Sequence, residues 1–209
     1  MKILFGGTFD PIHNGHIALA RYISQQFNHH VSLLPLNGVP NYKKPPLASL
    51  TQRLAMLQLI ANQYPEQIEI DYSEAGLTEY SPTVYTLQRL RQKYGNEMPF
   101  YFIIGGDSLV TLDIWDEWQK LFGLTNFIVA ARPNYPLNKM SAELQQEVMP
   151  RITENTQQRT ANGRIIMTHF EPIELSSTMI RAHVARQTSI AGMVDGKIQE
   201  YINEQQLYR

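Results

Sequence analysis

The chain of 209 residues contains no cysteine, which excludes disulfides, thiolate metal sites and cysteine nucleophiles. Excess charge is also absent. Its 18 Lys and Arg stand against 19 Asp and Glu, a formal net charge of −1, so it carries no basic footprint for DNA or RNA. A nucleotide ligand, which needs only a local group of donors, is not excluded by that balance. No apolar run approaches the roughly 20 residues of a membrane span. The first residues read as a strand, not as a charged segment followed by a signal core, so a soluble cytoplasmic protein is expected. No repeat and no H-E-x-x-H pattern is present, and no metal cage is expected. The hydrophobic content of 43% is ordinary, and predicts one domain over residues 1–209 with a substantial core.

Short apolar runs are what the chain does have. Lys2–Phe5, Val31–Leu34, Gln67–Ile70, Phe100–Ile104, Asn126–Ala130 and Ile165–His169 read as strands. Helical patterns lie between them near Gly15–Phe27, Leu50–Gln63, Thr83–Tyr94, Trp115–Phe122 and Ala142–Val148. Solidly apolar strands alternating with helices predict an α/β fold, a doubly wound, mostly parallel sheet with ligands at the strands' carboxyl ends. The first and fourth strands both run into glycine pairs, Gly6-Gly7 and Gly105-Gly106, so the switch point is expected between them. A small helical part follows from about Ser176. Val39–Ser49, with its prolines, reads as an exposed loop, and the polar Glu154–Gly163 as a mobile one.

The most informative segment is G-G-T-F-D-P-I-H-N-G-H, Gly6 to His16. An apolar strand followed by glycines is how a chain brings backbone N–H groups close to a phosphate, because no Cβ intervenes. Pro11 sets a turn and Asn14 is a good N-cap for the helix behind it. His13 and His16 are three apart, so both rings can share one face of its first turn and point, with the helix N-terminus, toward negative charge.

This string resembles the H-x-G-H signature of the nucleotidyltransferase superfamily, and within it the chain resembles the bacterial nicotinate-nucleotide adenylyltransferases. The resemblance runs nearly end to end, through Ile103-Ile104-Gly105-Gly106-Asp107-Ser108-Leu109, Ile114-Trp115, Ala131-Arg132-Pro133 and Leu175-Ser176-Ser177-Thr178-Met179-Ile180-Arg181 to Tyr201-Ile202-Asn203. It implies a Rossmann-like nucleotidyltransferase fold. It also implies transfer of AMP from ATP to nicotinate mononucleotide, giving deamido-NAD and pyrophosphate, with Mg²⁺ bridging the phosphates.

Such a reaction needs fixed donors and cations rather than a covalent intermediate. His13 and His16 fit as donors to the phosphates, and the resemblance makes His16 the more critical. Gly6, Gly7, Thr8 and Phe9 are expected to line the ATP. Ser176, Ser177 or Thr178 can cap a helix whose N–H groups face the β- and γ-phosphates, and Arg181 adds a cation one turn in. Asp107, at a strand's carboxyl end, suits ribose hydroxyls or a helix cap, and the resemblance gives Gly105 and Asp107 to the adenosine side. It also gives Trp115 the nicotinate ring to stack on, and leaves Trp118 to packing. Arg132 reads either as facing the nucleotide or as solvated, Lys43 and Lys44 either as a loop closing over phosphates or as plain surface. Arg53 resembles a family arginine of unassigned role.

Two segments depart from the family pattern. Pro40-Asn41-Tyr42-Lys43 has Tyr42 where relatives carry His, and Ser81-Pro82-Thr83 has Pro82 where they carry Tyr. The resemblance has the N–H groups of Thr83 and Asp116 hold the nicotinate carboxylate, and Asp116 replaces a common aromatic. Nicotinamide mononucleotide is therefore an alternative acceptor. A non-catalytic nucleotide sensor and a tRNA-handling domain are the readings from other classes; retention of His13, His16 and Arg181 speaks against the first, short length and neutral charge against the second.

Overall fold

The computed structural model describes residues 1–38, 44–77, 79–131 and 136–209. Strands β1 (Lys2–Gly7), β2 (Val31–Pro35), β3 (Ile68–Ile70), β4 (Phe100–Gly105), β5 (Asn126–Ala130), β6 (Ile152–Thr153) and β7 (Ile165–Met167) form a seven-stranded sheet in the order β3-β2-β1-β4-β5-β7-β6. β1–β4, β2–β3, β4–β5, β5–β7 and β6–β7 all pair in parallel. The helices are α1 (Asn14–Phe27), α2 (Leu50–Gln63), α3 (Thr83–Tyr94), α4 (Gly106–Val110), α5 (Trp118–Leu124), α6 (Ala142–Val148), α7 (Ser177–Ala185) and α8 (Gly196–Glu204). The architecture is the expected α/β one.

The chain divides into two compact units. Met1–Gly6 and Ser81–Pro172 make the first. Its strands are apolar along their length because both faces are covered: Ile3, Leu4, Phe100, Tyr101, Ile103, Phe127, Ile128 and Val129 are all buried. β1 pairs with β4 from Lys2↔Phe100 to Phe5↔Ile103, so the first and fourth strands are neighbours, as the two glycine pairs led us to expect. The loop at Glu154–Gly163 was expected to be mobile, but its second half is tied down. Buried Asn126 donates to Thr160 O (2.8 Å) and accepts from Arg164 N–H (3.0 Å), while Arg91 donates to Ala161 O (2.8 Å).

Gly7–Tyr80 and Ile173–Arg209 make the second unit. β2 and β3 pair in parallel, Val31↔Ile68 to Leu33↔Ile70. Helix α1 buries Ile17, Ala20, Ile23 and Phe27, the stripe its sequence spacing marks, and α2 buries Met56, Leu57 and Ile60. Ile180 of α7 and Ile198 and Ile202 of α8 are also buried.

Several boundaries differ from the sequence reading. β1 runs through both glycines to Gly7, β7 stops at Met167, and the two-residue β6 is additional. The helix expected at Trp115–Phe122 begins at Trp118. Trp115 instead ends a short 3-10 turn (Leu112–Ile114) with extended backbone, and Glu117 takes a left-handed φ of 48° before the helix starts. Among the described residues no helix is long and apolar enough to cross a membrane.

Candidate active site

In the second unit, α1 is capped by His13, not by Asn14, which is its first helical residue and donates through Nδ2 to Gly192 O at 2.8 Å. The two histidines cap the turn reciprocally. His16 N–H donates to His13 Nδ1 (3.4 Å) and His13 N–H donates to His16 Nδ1 (3.3 Å). A ring nitrogen that accepts carries no proton, so each neutral ring holds its proton on Nε2 and presents an N–H donor there. The rings stack with centroids 3.6 Å apart at 26°, and Phe9 meets His16 edge-on at 5.2 Å. Burial lowers the His13 pKa to about 4; His16 is pushed well below its ordinary value by desolvation and by His13 beside it. Both are therefore neutral donors at pH 7.

Gly15 leaves room beside the stack: a Cβ there would stand 3.1 Å from the His13 ring, which would have to give by a few tenths of an ångström. A Cβ on Gly7 would stand 2.8 Å from the Phe9 ring, which itself lies in a loop with Phe9 at φ 50°. Thr8 is half-buried, and its carbonyl accepts from Arg53 Nη1 at 2.7 Å. Arg53 is buried and also donates to Leu36 O at 2.9 Å, so it braces the backbone of the motif loop. Desolvation lowers its pKa, opposed by the charge of Asp10.

Asp10, which the sequence reading passed over as part of a turn, is the centre of this unit's loop. It is buried, and its carboxylate accepts from the N–H groups of Leu47 (2.8 Å) and Ala48 (3.0 Å) and from the Tyr208 hydroxyl (2.8 Å). Its partners lie 37 to 198 positions away, so no local pattern could have pointed to it. Nor does any motif mark Tyr208.

Helix α7 carries the other expected phosphate residues to the same loop. Ser176 is the N-cap, its Oγ accepting from Met179 N–H at 3.1 Å. Ser177 Oγ donates to Pro11 O (2.9 Å), and Arg181 donates to Asp10 O (2.6 Å) and to Thr178 Oγ1 (3.1 Å). The structure thus brings Ser177, Thr178 and Arg181 together with the loop that carries His13 and His16.

The first unit holds a second group of expected residues. A Cβ on Gly6 would stand 2.7 Å from the Phe102 ring, so that position is closed to side chains. Gly105 caps α4, and the exposed Asp107 folds back over it, so that a Cβ on Gly105 would collide with Asp107 Oδ1. Trp115 is half-buried and meets Phe102 edge-on at 6.5 Å, whereas Trp118 is buried. Thr83 opens α3, where first-turn amides have no acceptor within the helix. Pro82 sits at the cap itself, so its missing N–H removes no helical bond. Asp116 is exposed. Next to it Glu117 accepts from the Tyr85 hydroxyl at 3.2 Å and pairs with Lys120, which holds its carboxyl below the usual range. Lys43, Tyr42 and Arg132 lie outside the described residues.

Among the described residues no three His, Asp or Glu side chains gather so as to hold a metal ion. A magnesium ion carried by phosphates needs no such cage.

A parallel α/β sheet whose first strand breaks into a loop presenting two neutral imidazoles at a helix start defines a nucleotidyltransferase-type protein. The cytidylyltransferase-like family matches residues 4–183. The chain is 36% identical over 207 residues to the "Probable nicotinate-nucleotide adenylyltransferase" of Chromobacterium violaceum, covering 99% of this chain and 97% of that protein. It is 36% identical over 206 residues to the protein so described in Shewanella woodyi, covering 99% and 98%. The chain belongs to the cytidylyltransferase-like family and, within it, to the nicotinate-nucleotide adenylyltransferases. The solved structure of Plasmodium falciparum nicotinic acid mononucleotide adenylyltransferase complexed with NaAD shares the fold, with a TM-score of 0.76 at 21% identity, covering 100% of this chain and 98% of that one.

Proposed function

We propose that this chain transfers AMP from ATP to nicotinate mononucleotide, giving deamido-NAD and pyrophosphate. A phosphate oxygen of the mononucleotide attacks the α-phosphorus of ATP. The new P–O bond forms as the bond from that phosphorus to the oxygen bridging to the β-phosphate breaks, and pyrophosphate leaves with the electron pair. Both reactants are anions, so the protein's task is to hold them in line and to offset negative charge.

The observation that carries this reading is the reciprocal His13–His16 cap. It fixes both tautomers with the remaining proton on Nε2 of each ring, so the rings are oriented before a nucleotide binds. Neutral rings donate without being lost to deprotonation across the working pH range. We assign His16 to the phosphate under attack and His13 and Arg181 to the rest of the triphosphate, with the N-terminal amides of α7 beside Ser177 and Thr178. Gly6, Gly7, Thr8 and Phe9 shape the loop that approaches it. In the first unit, Gly105 and Asp107 take the adenosine side, Trp115 the pyridine ring, and the amides of Thr83 and Asp116 its carboxylate. Glu117, next to Asp116, is matched by Lys120 and Tyr85, so its own charge is offset within the protein. MgATP is the expected form of the nucleotide substrate, and its Mg²⁺ would supply part of the charge neutralisation that His13, His16 and Arg181 complete from the protein side. The same reading puts the reaction in the cytoplasm, where ATP is at hand.

The test is pyrophosphate release from MgATP and nicotinate mononucleotide, with the dinucleotide identified by mass. Equimolar pyrophosphate and deamido-NAD support the reading; ATP binding with no product would make the chain a sensor.

A further inference from the structure

Asp10 and Arg181 form an ion pair, but no hydrogen bond joins the guanidinium to the carboxylate. Arg181 Nη1 lies 3.8 Å from Asp10 Oδ2, beyond hydrogen-bond reach, while the same nitrogen donates to the Asp10 carbonyl oxygen at 2.6 Å. A carboxylate only 4% exposed normally draws in the nearest cation until its oxygens are satisfied. Here three other donors already satisfy it: the amides of Leu47 and Ala48 and the hydroxyl of Tyr208. Two of these are backbone groups set by the start of α2. The third comes from the penultimate residue of the chain, buried and held protonated by desolvation and by the Asp10 charge beside it.

We propose that Tyr208 is a positioning residue for ATP, whose hydroxyl satisfies Asp10 and so keeps the Arg181 guanidinium from closing onto that carboxylate. The inference rests on the reading of Arg181 as a cation for the triphosphate. With Asp10 satisfied, Arg181 stays where Thr178 Oγ1 and the Asp10 carbonyl place it, its side chain a quarter exposed at the start of α7. Without the hydroxyl, Asp10 Oδ1 keeps only the Ala48 N–H, and Arg181, already paired with Oδ2 at 3.8 Å, is a partly exposed cation that can close onto the carboxylate. The guanidinium would then serve Asp10 instead of the nucleotide.

Tyr208→Phe removes one oxygen atom and leaves the ring in place. Steady-state kinetics on this variant should show the KM for ATP raised about five-fold, with kcat and the KM for nicotinate mononucleotide within about two-fold of wild type. Thermal unfolding of the same samples separates this from a loss of fold, which would lower the midpoint and the apparent kcat while leaving the KM of the folded fraction unchanged. In an Arg181→Ala background, which itself raises the KM for ATP, adding Tyr208→Phe should change that KM no further. An unchanged KM for ATP in Tyr208→Phe, or a further rise in the double variant, overturns the proposal. An Arg181→Ala variant with normal KM for ATP overturns the assignment of Arg181 itself, which is a different failure.

Discussion

The imidazoles of His13 and His16 lie 3.6 Å apart, each with its Nδ1 engaged by the other residue's backbone amide. One pair of side chains thus closes the helix and sets the orientation of two donors. Changes to either residue should therefore act on catalysis through geometry as well as through the lost group.

Replacing His16 by Ala removes the donor assigned to the transition state. Turnover should fall by roughly 10²-fold or more, with a modest change in ATP affinity, as for one oxyanion donor. Single-turnover pyrophosphate release measures this, and a turnover near wild type would show that His16 is only a cap.

Gly15→Ala tests the stack without touching either ring. The added methyl would press on His13 from 3.1 Å, tighter than ordinary van der Waals contact. The ring must tilt, so kcat should drop by about ten-fold while the thermal midpoint moves little, since Ala favours helix at this position. Unchanged kcat would show that ring placement tolerates the shift.

His13 also makes stability depend on pH. Its folded pKa of about 4 lies below the unfolded value of 6.5, so between these the unfolded chain binds a proton that the folded one refuses. Stability should be intact above pH 6.5 and decline as pH falls toward 4, by on the order of 3 kcal/mol in all. Thermal midpoints of wild type and His13→Asn from pH 7.5 to 4.5 give the readout. The wild type should lose more, and parallel declines would contradict the assignment.

Trp115→Ala should mainly weaken the mononucleotide. Losing one ring–aromatic stack costs about 1–3 kcal/mol, so its KM should rise roughly ten-fold while the KM for ATP holds. Equal effects on the two substrates would point to a packing role against Phe102, the ring Trp115 already meets.

Much of this was legible in the sequence, for physical reasons. Strands such as Phe100–Ile104 stand out because burial on both faces leaves them apolar throughout, whereas the two-residue β6 leaves no pattern to find. The Gly6–His16 loop shows because its glycines and closely spaced histidines stand out at fixed offsets after an apolar strand. Its details do not. The cap falls on His13 because an imidazole Nδ1 can do what the Asn14 amide would otherwise do, and sequence preference favours Asn. Trp115 lies outside its helix because the chain first turns through Leu112–Ile114 and a left-handed Glu117, a conformation that residue type seldom marks. Asp10 and Tyr208 were missed because their bond spans 198 positions.

The central claim is adenylyl transfer to the acid mononucleotide. It is tested most directly by comparing kcat/KM for nicotinate mononucleotide and nicotinamide mononucleotide with MgATP. Two backbone donors on a carboxylate make charge-assisted bonds that an amide cannot match, so the acid should be preferred at least ten-fold. Parity, or a preference for the amide, would mean that Pro82 and Asp116 have reshaped the pocket, and would contradict the account.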